Sequence, residues 1–446
     1  MMTRAVGVFA LACFALGGAK SASPLSSFDD DKDHHRHNGG SAATYIYVQA
    51  QNGLDAFTVA ANGALTPVLG SPFKTSGDAI GAHGSYLVSL DGSLLRSYPV
   101  EATGALGNEA SSIDTAGFAG GGCGQARYAR LDPTGQYVQV LYVPTIYVPN
   151  PCTAYLTFAL SQASGAFTFL GDAVVQPDVG AYLDPLTMTG DGKFAYALNL
   201  PRSFDVSYAG FTRDTAGALA NITFGEADPQ PPSPFDYFSW LVEADSTNHL
   251  ALALGQLEFF GSPRVTVGPT QLASYTVDAT GNISSTNTSD AMPVPAVGPT
   301  LLRISPAGNL LAVAGNDCPW CQISVRLGST GLQLFHFNGA DPITTFTDAL
   351  TTDPIDQEEW DSNNHLFAVS DSANKLYVFT ATPAGVTAAP GSPYTIANPN
   401  GSSPNGLIVI STQTQGCQRA GKHCHKHSDD HEDDGEKGEK DDGDRD

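Results

Sequence analysis

Arg130, Glu243, Arg303 and Glu359 each lie five residues before a Gly or Asn in a short turn, and their signs alternate along the chain. Ala79 and Thr187 hold the same offset before Gly84 and Gly192. A carboxylate beside a guanidinium is a recognisable chemical pair: the carboxylate orients a water as general base, and the guanidinium stabilises the oxyanion that forms when an ester or lactone is opened. The same four side chains could instead close on one another, because charges taken out of water have to be paired. The ion-paired, structural role is the expectation, with ligand binding and then catalysis behind it. Arg127 stands an odd number of residues from Arg130. On a regular strand the two would face opposite ways, so both could not serve one site.

Other residues carry chemistry in outlying segments. His34, His35 and His37 precede the main body, and His423, His425, His427 and His431 follow it. Imidazoles with carboxylate neighbours suit a divalent metal such as Zn, Ni or Cu, and the neutral alternative is a pair of solubilising tails, which is the expectation. Cys318-Pro-Trp-Cys321 has the spacing of a redox dithiol, but such motifs act from a helix N-terminus in a βαβ setting, and the surrounding residues read as strand and loop. Asp132, Asp191, Asp245 and His83 sit in turns and are read as turn residues before ligands or catalysts.

The elements that must position these groups repeat. An aromatic residue in an alternating run, followed by a glycine and an apolar pair, recurs around Phe57, Tyr98, Phe158, Phe211, Tyr275, Phe335 and Phe379; the gap to glycine is six in five copies, seven in one and four in one. Between these copies stand six turns followed by β-rich runs, at Gly84, Gly135, Gly192, Asn248, Gly308 and Asn364. Each period therefore holds four strands, the size of a propeller blade. The first copy lacks its turn-and-strand, and the body begins at once with Tyr45-Ile46-Tyr47-Val48, while a strand-like run from Ser403 to Ser411 is left over at the other end. Pairing the leftover strand with the first blade closes the ring and removes an open sheet edge. The expected fold is all-β: a seven-bladed β-propeller of four-stranded antiparallel blades, the first blade closed by the C-terminal strand. The segments between second and third strands vary in length, so one face should be elaborated and the other plain.

At the ends, an apolar run from Ala5 to Ala19 after Arg4, then small residues, has the layout of a secretory signal peptide. The organisation read from the sequence is a signal over residues 1–22, a polar linker over 23–43, the propeller over 44–412 and a His/Asp/Glu-rich tail over 413–446. The run is too short to serve as a transmembrane anchor. The six cysteines after the signal, Cys123, Cys152, Cys318, Cys321, Cys417 and Cys424, suit an oxidising compartment, and their order suggests three local bridges. Cys123 precedes the inner strand of the third blade and Cys152 lies in its next upper loop, both on the elaborated face, and they form the bridge most expected. The formal charge of −24, with eleven acidic and three basic residues between Ser428 and Asp446, argues against a nucleic-acid partner.

The aromatic-x5-Gly-Ala-Leu unit, the Pro-x-Gly turns and the Gly-Ser-Pro-Phe/Tyr ends at Gly70 to Phe73 and Gly391 to Tyr394 are similar to those of the lactonase-like seven-bladed propellers, also called YVTN-repeat or 6-phosphogluconolactonase-like proteins. The resemblance covers about Tyr45 to Thr412. It implies a propeller whose enzymes hydrolyse or form lactones with Arg, Glu and His residues at the channel mouth. The inner strand of the third blade, Gly124-Gln-Ala-Arg127-Tyr-Ala-Arg130, departs from that pattern in having no histidine. The leading expectation is a periplasmic or secreted binding or scaffold propeller whose looped face takes a protein, glycan or small molecule. The alternatives are a sugar-lactone hydrolase using Glu243, Glu359, Arg130 and Arg303, and divalent-metal binding by the terminal histidines.

Overall fold

The structure is a computed structural model that describes residues 42–118, 123–144, 152–175, 186–199, 207–222, 226–227, 235–258, 265–266, 268–316, 329–396 and 408–414. These form seven sheets built on four antiparallel strands and arranged as the blades of a propeller, with two extra short strands on the fifth blade and one on the seventh. In the first blade the innermost strand is Ile408–Thr414, followed outward by Ala42–Ala50, Gly53–Val59 and Leu65–Pro67. Its closure runs from Ala42↔Thr414 to Val48↔Ile408, so the chain ends of the body share one sheet. The other innermost strands are Asp78–His83, Gln125–Leu131, Thr187–Met188, Phe235–Ala244, Leu301–Ile304 and Gln357–Trp360, for blades two to seven in order.

Each blade is covered on both faces by its neighbours, which explains why its middle strands read as continuous apolar runs instead of alternating ones. In Leu310–Gly315 and His365–Ser370 every residue is buried. The buried apolar side chains fall into seven clusters, one in each seam between adjacent blades. The recurrent hairpin aromatics are the deepest members: Phe158, Phe211, Tyr275 and Phe335 are fully buried.

The hairpin glycines have a reason that reaches across the seam. Gly104 of the second blade has φ +81°, and a Cβ there would lie 2.3 Å from the Tyr45 ring of the first blade. Tyr45 donates to the Ala102 carbonyl at 2.6 Å and Tyr47 to that of Gly104 at 2.8 Å, so the ring can approach only a residue without a side chain. Gly217 of the fourth blade rides over Tyr137 of the third in the same way.

The inner turns are held by side chains. Asp132 accepts the backbone N–H groups of Gln136 and Tyr137, Asp245 those of Thr247 and His249, and Asp361 those of Asn363 and His365. Asp191 likewise accepts from the N–H of Lys193. His83 packs on the next blade's turn, where a Cβ on Gly135 would fall 1.8 Å from its Cγ.

Candidate functional site

The turns fix where the inner strands end, and counting back from them places the charged side chains at one level of the channel wall. Cross-strand pairing sets their direction. Arg130 stands opposite Gln139, Thr187 opposite Tyr196, Glu243 opposite Ala251, Arg303 opposite Ala312 and Glu359 opposite Phe367. The structure brings Arg130, Thr187, Glu243, Arg303 and Glu359 into one continuous network across five blades.

Arg130 of the third blade donates through Nη1 to the Leu186 carbonyl of the fourth at 2.9 Å and through Nη2 to Glu243 Oε1 of the fifth at 3.4 Å. Thr187 donates to Glu243 Oε2 at 3.3 Å and accepts the Ala244 N–H at 2.9 Å. Arg303 of the sixth blade donates through Nη1 to Glu243 Oε2 at 3.5 Å and through Nε to Glu359 Oε1 of the seventh at 3.0 Å. The Trp360 indole closes the sixth blade to the seventh by donating to the Arg303 carbonyl at 3.1 Å. Two guanidiniums thus meet two carboxylates, and their formal charges cancel.

The electrostatics favour this arrangement. Burial works against the charge on Arg303, but Glu243 and Glu359 outweigh it, so the guanidinium pKa lies above its ordinary value. Both oxygens of Glu243 are engaged, and only 8% of its side chain is exposed. Glu359 and Arg130 are more open, with 32% and 31% of their side chains exposed. Glu243 is therefore placed to hold cations together, and Glu359 and Arg130 are the members able to meet a ligand.

Two features of the wall escape the counting rule. The strand carrying Arg127 has a bulge between Ala126 and Tyr128, so regular alternation does not relate Arg127 to Arg130. Arg127 is exposed, with its guanidinium 5.6 Å from the centroid of the Tyr128 ring. The other is Glu358, fully buried beside Glu359, with neither carboxyl oxygen hydrogen-bonded. Its only signal in the sequence is the doublet Glu358-Glu359, whose members a strand must turn to opposite faces.

Cys123 and Cys152 are joined by a disulfide with Cα atoms 4.8 Å apart. Cys318, Cys321, Cys417 and Cys424 lie outside the described residues, as do His34, His35, His37, His423, His425, His427 and His431. Among the described residues no group of three or more His, Cys, Asp or Glu side chains could hold a metal ion, and no helix is long and apolar enough to cross a membrane.

No family model matches this sequence. No curated protein matches it either. Solved structures do. A putative 6-phosphogluconolactonase from Bacteroides fragilis matches with TM-score 0.51 and 13% identity, over 85% of this chain and 99% of that one. The periplasmic gluconolactonase of Pseudomonas aeruginosa matches with TM-score 0.54 and 13% identity, over 80% of this chain and 98% of that one. The fold is that of the lactonase-like propellers. At this identity the likeness extends to the architecture of a lactonase-like propeller, and function has to be argued from the site.

Proposed function

We propose that this lactonase-like propeller is an exported binding or scaffold protein, in which the channel charges tie the blades together and ligand or partner recognition takes place on the looped face. The observation that carries this reading is the engagement of Glu243: the better buried of the two candidate bases, it already accepts from Arg130, Thr187 and Arg303. A general base needs a lone pair directed at water, and three fixed donors with only 8% of the side chain exposed leave Glu243 little room to offer one. Export rests on the leader-like N-terminus, on the Cys123–Cys152 disulfide, and on the periplasmic location in the name of the Pseudomonas aeruginosa structure.

A second reading is sugar-lactone hydrolysis, favoured by the exposure of Glu359, one of whose oxygens faces no donor among the described residues, and of the Arg130 guanidinium. Glucono-δ-lactone opening, followed by acid release above the spontaneous rate, separates the two. The binding reading expects wild type and Glu359→Gln to match the uncatalysed rate. Turnover that Glu359→Gln abolishes while the fold persists overturns it in favour of the hydrolase.

A further inference from the structure

Glu358 is a carboxylic side chain of an innermost strand that the ion-pair network leaves out. Glu358 stands opposite Ala368, which packs in the seam between the sixth and seventh blades, whereas Glu359 stands opposite Phe367, which packs toward the first blade. Arg303 stands opposite Ala312, a member of that same sixth–seventh seam. Glu358 and Arg303 therefore enter one seam from opposite blades. The apolar members of that seam include Leu301, Ala312 and Ala314 from the sixth blade and Trp360, Leu366 and Ala368 from the seventh.

The charged groups bearing on Glu358 are Arg303, Glu359 and Glu243. Tyr377, in the next row of the same sheet, gives its hydroxyl to Asp353, which also pairs with Lys375. Burial is the largest influence on Glu358 and lifts its pKa well above the ordinary glutamate value; Arg303 draws it down, and Glu359 and Glu243 push it up. Arg303 meanwhile uses Nε on Glu359 and Nη1 on Glu243 and the Leu302 carbonyl, and its Nη2 has no hydrogen-bond partner among the described residues.

We propose that Glu358 is a proton-operated switch on the channel charges: as the uncharged acid it leaves Arg303 to Glu243 and Glu359, and as the carboxylate it draws Arg303 into the seam and frees Glu359 for a cationic ligand. The proton passes to solvent, so the wall changes from balanced charge to one net negative charge. The Trp360 indole holds the Arg303 carbonyl and leaves its side chain unrestrained by that bond. The switch holds under either reading of the protein's function.

The test follows the Arg303 side-chain Nε–H resonance, assigned with Arg303→Lys, and the unfolding free energy of the full chain across pH, in wild type and Glu358→Gln. In wild type the resonance is expected to shift as pH rises and Arg303 exchanges Glu359 for Glu358; in Glu358→Gln it stays. The folded acid holds its proton more tightly than the unfolded chain does. Wild type should therefore lose stability relative to the variant as pH rises from the ordinary glutamate range toward the folded pKa, by about tenfold in the folding equilibrium per pH unit. A resonance that moves equally in Glu358→Gln, or parallel stability curves, overturns the proposal. Should Glu358→Gln fail to fold, Glu359→Gln decides: removing one upward push has to bring the step to lower pH, and a step that does not move overturns the coupling.

Discussion

Arg303 Nε and Glu359 Oε1 are 3.0 Å apart across the seam between the sixth and seventh blades, while the same guanidinium reaches back to Glu243 of the fifth. One side chain thus ties three blades. Replacing it by Ala leaves two carboxylates facing one another without their shared cation, which for a buried pair costs about 3–5 kcal/mol. The lower part of that range is expected here, since Glu359 keeps a third of its side chain in water. Arg303→Lys retains the charge but not the fork, and should lose less. Urea unfolding of the two variants measures the order.

The Gly104 contact with Tyr45 predicts a larger penalty than conformation alone. Gly104→Ala has to adopt a left-handed backbone, at about 1–2 kcal/mol, and also has to displace the Tyr45 ring, which is anchored on Ala102. Gly92, with φ +60° and nothing within 4 Å of where a Cβ would lie, is the internal control. Gly92→Ala should show the conformational cost only, and equal losses at both positions would refute the cross-seam role.

The Cys123–Cys152 disulfide spans 29 residues of the third blade. Closing a loop of that length stabilises a protein by about 3–4 kcal/mol through the unfolded chain. Cys123→Ser with Cys152→Ser should lower the melting temperature, and reductant should lower that of wild type by more than that of the double variant.

Asp278, in the hairpin of the fifth blade, accepts from the Thr280 hydroxyl and backbone N–H and from Asn282, which hold its carboxyl down at about 2. A folded pKa below the unfolded one contributes stability above the unfolded value and loses it as pH falls toward 2. Carboxyl NMR should find Asp278 ionised well below the other exposed aspartates, and Thr280→Ala should raise it.

The terminal histidines make a separate prediction. If they bind a divalent metal, equilibrium dialysis with Ni or Zn should load the full chain and not the shortened chain of residues 42–414. Equal loading of the two assigns the metal elsewhere.

The sequence by itself determined the blade count, the closing strand and the level of Arg130, Glu243, Arg303 and Glu359. It could do so because these depend on local rules: a side-chain-capped turn fixes the end of a strand, and counting back from it fixes the residue that lines the wall. Thr187 shared the offset but not the charge, so its contact with Glu243 had no sign in the pattern. The bulge at Arg127 broke the alternation by a backbone kink that no residue type announces. Only the tertiary structure decided that Glu358 is sealed in without a partner while Glu359, its chain neighbour, reaches both Arg303 and water. The reason is that exposure of an inner-strand side chain is set by what the adjacent blade presents. There Glu358 stands opposite Ala368 in the seam between the sixth and seventh blades, while Glu359 keeps 32% of its side chain exposed.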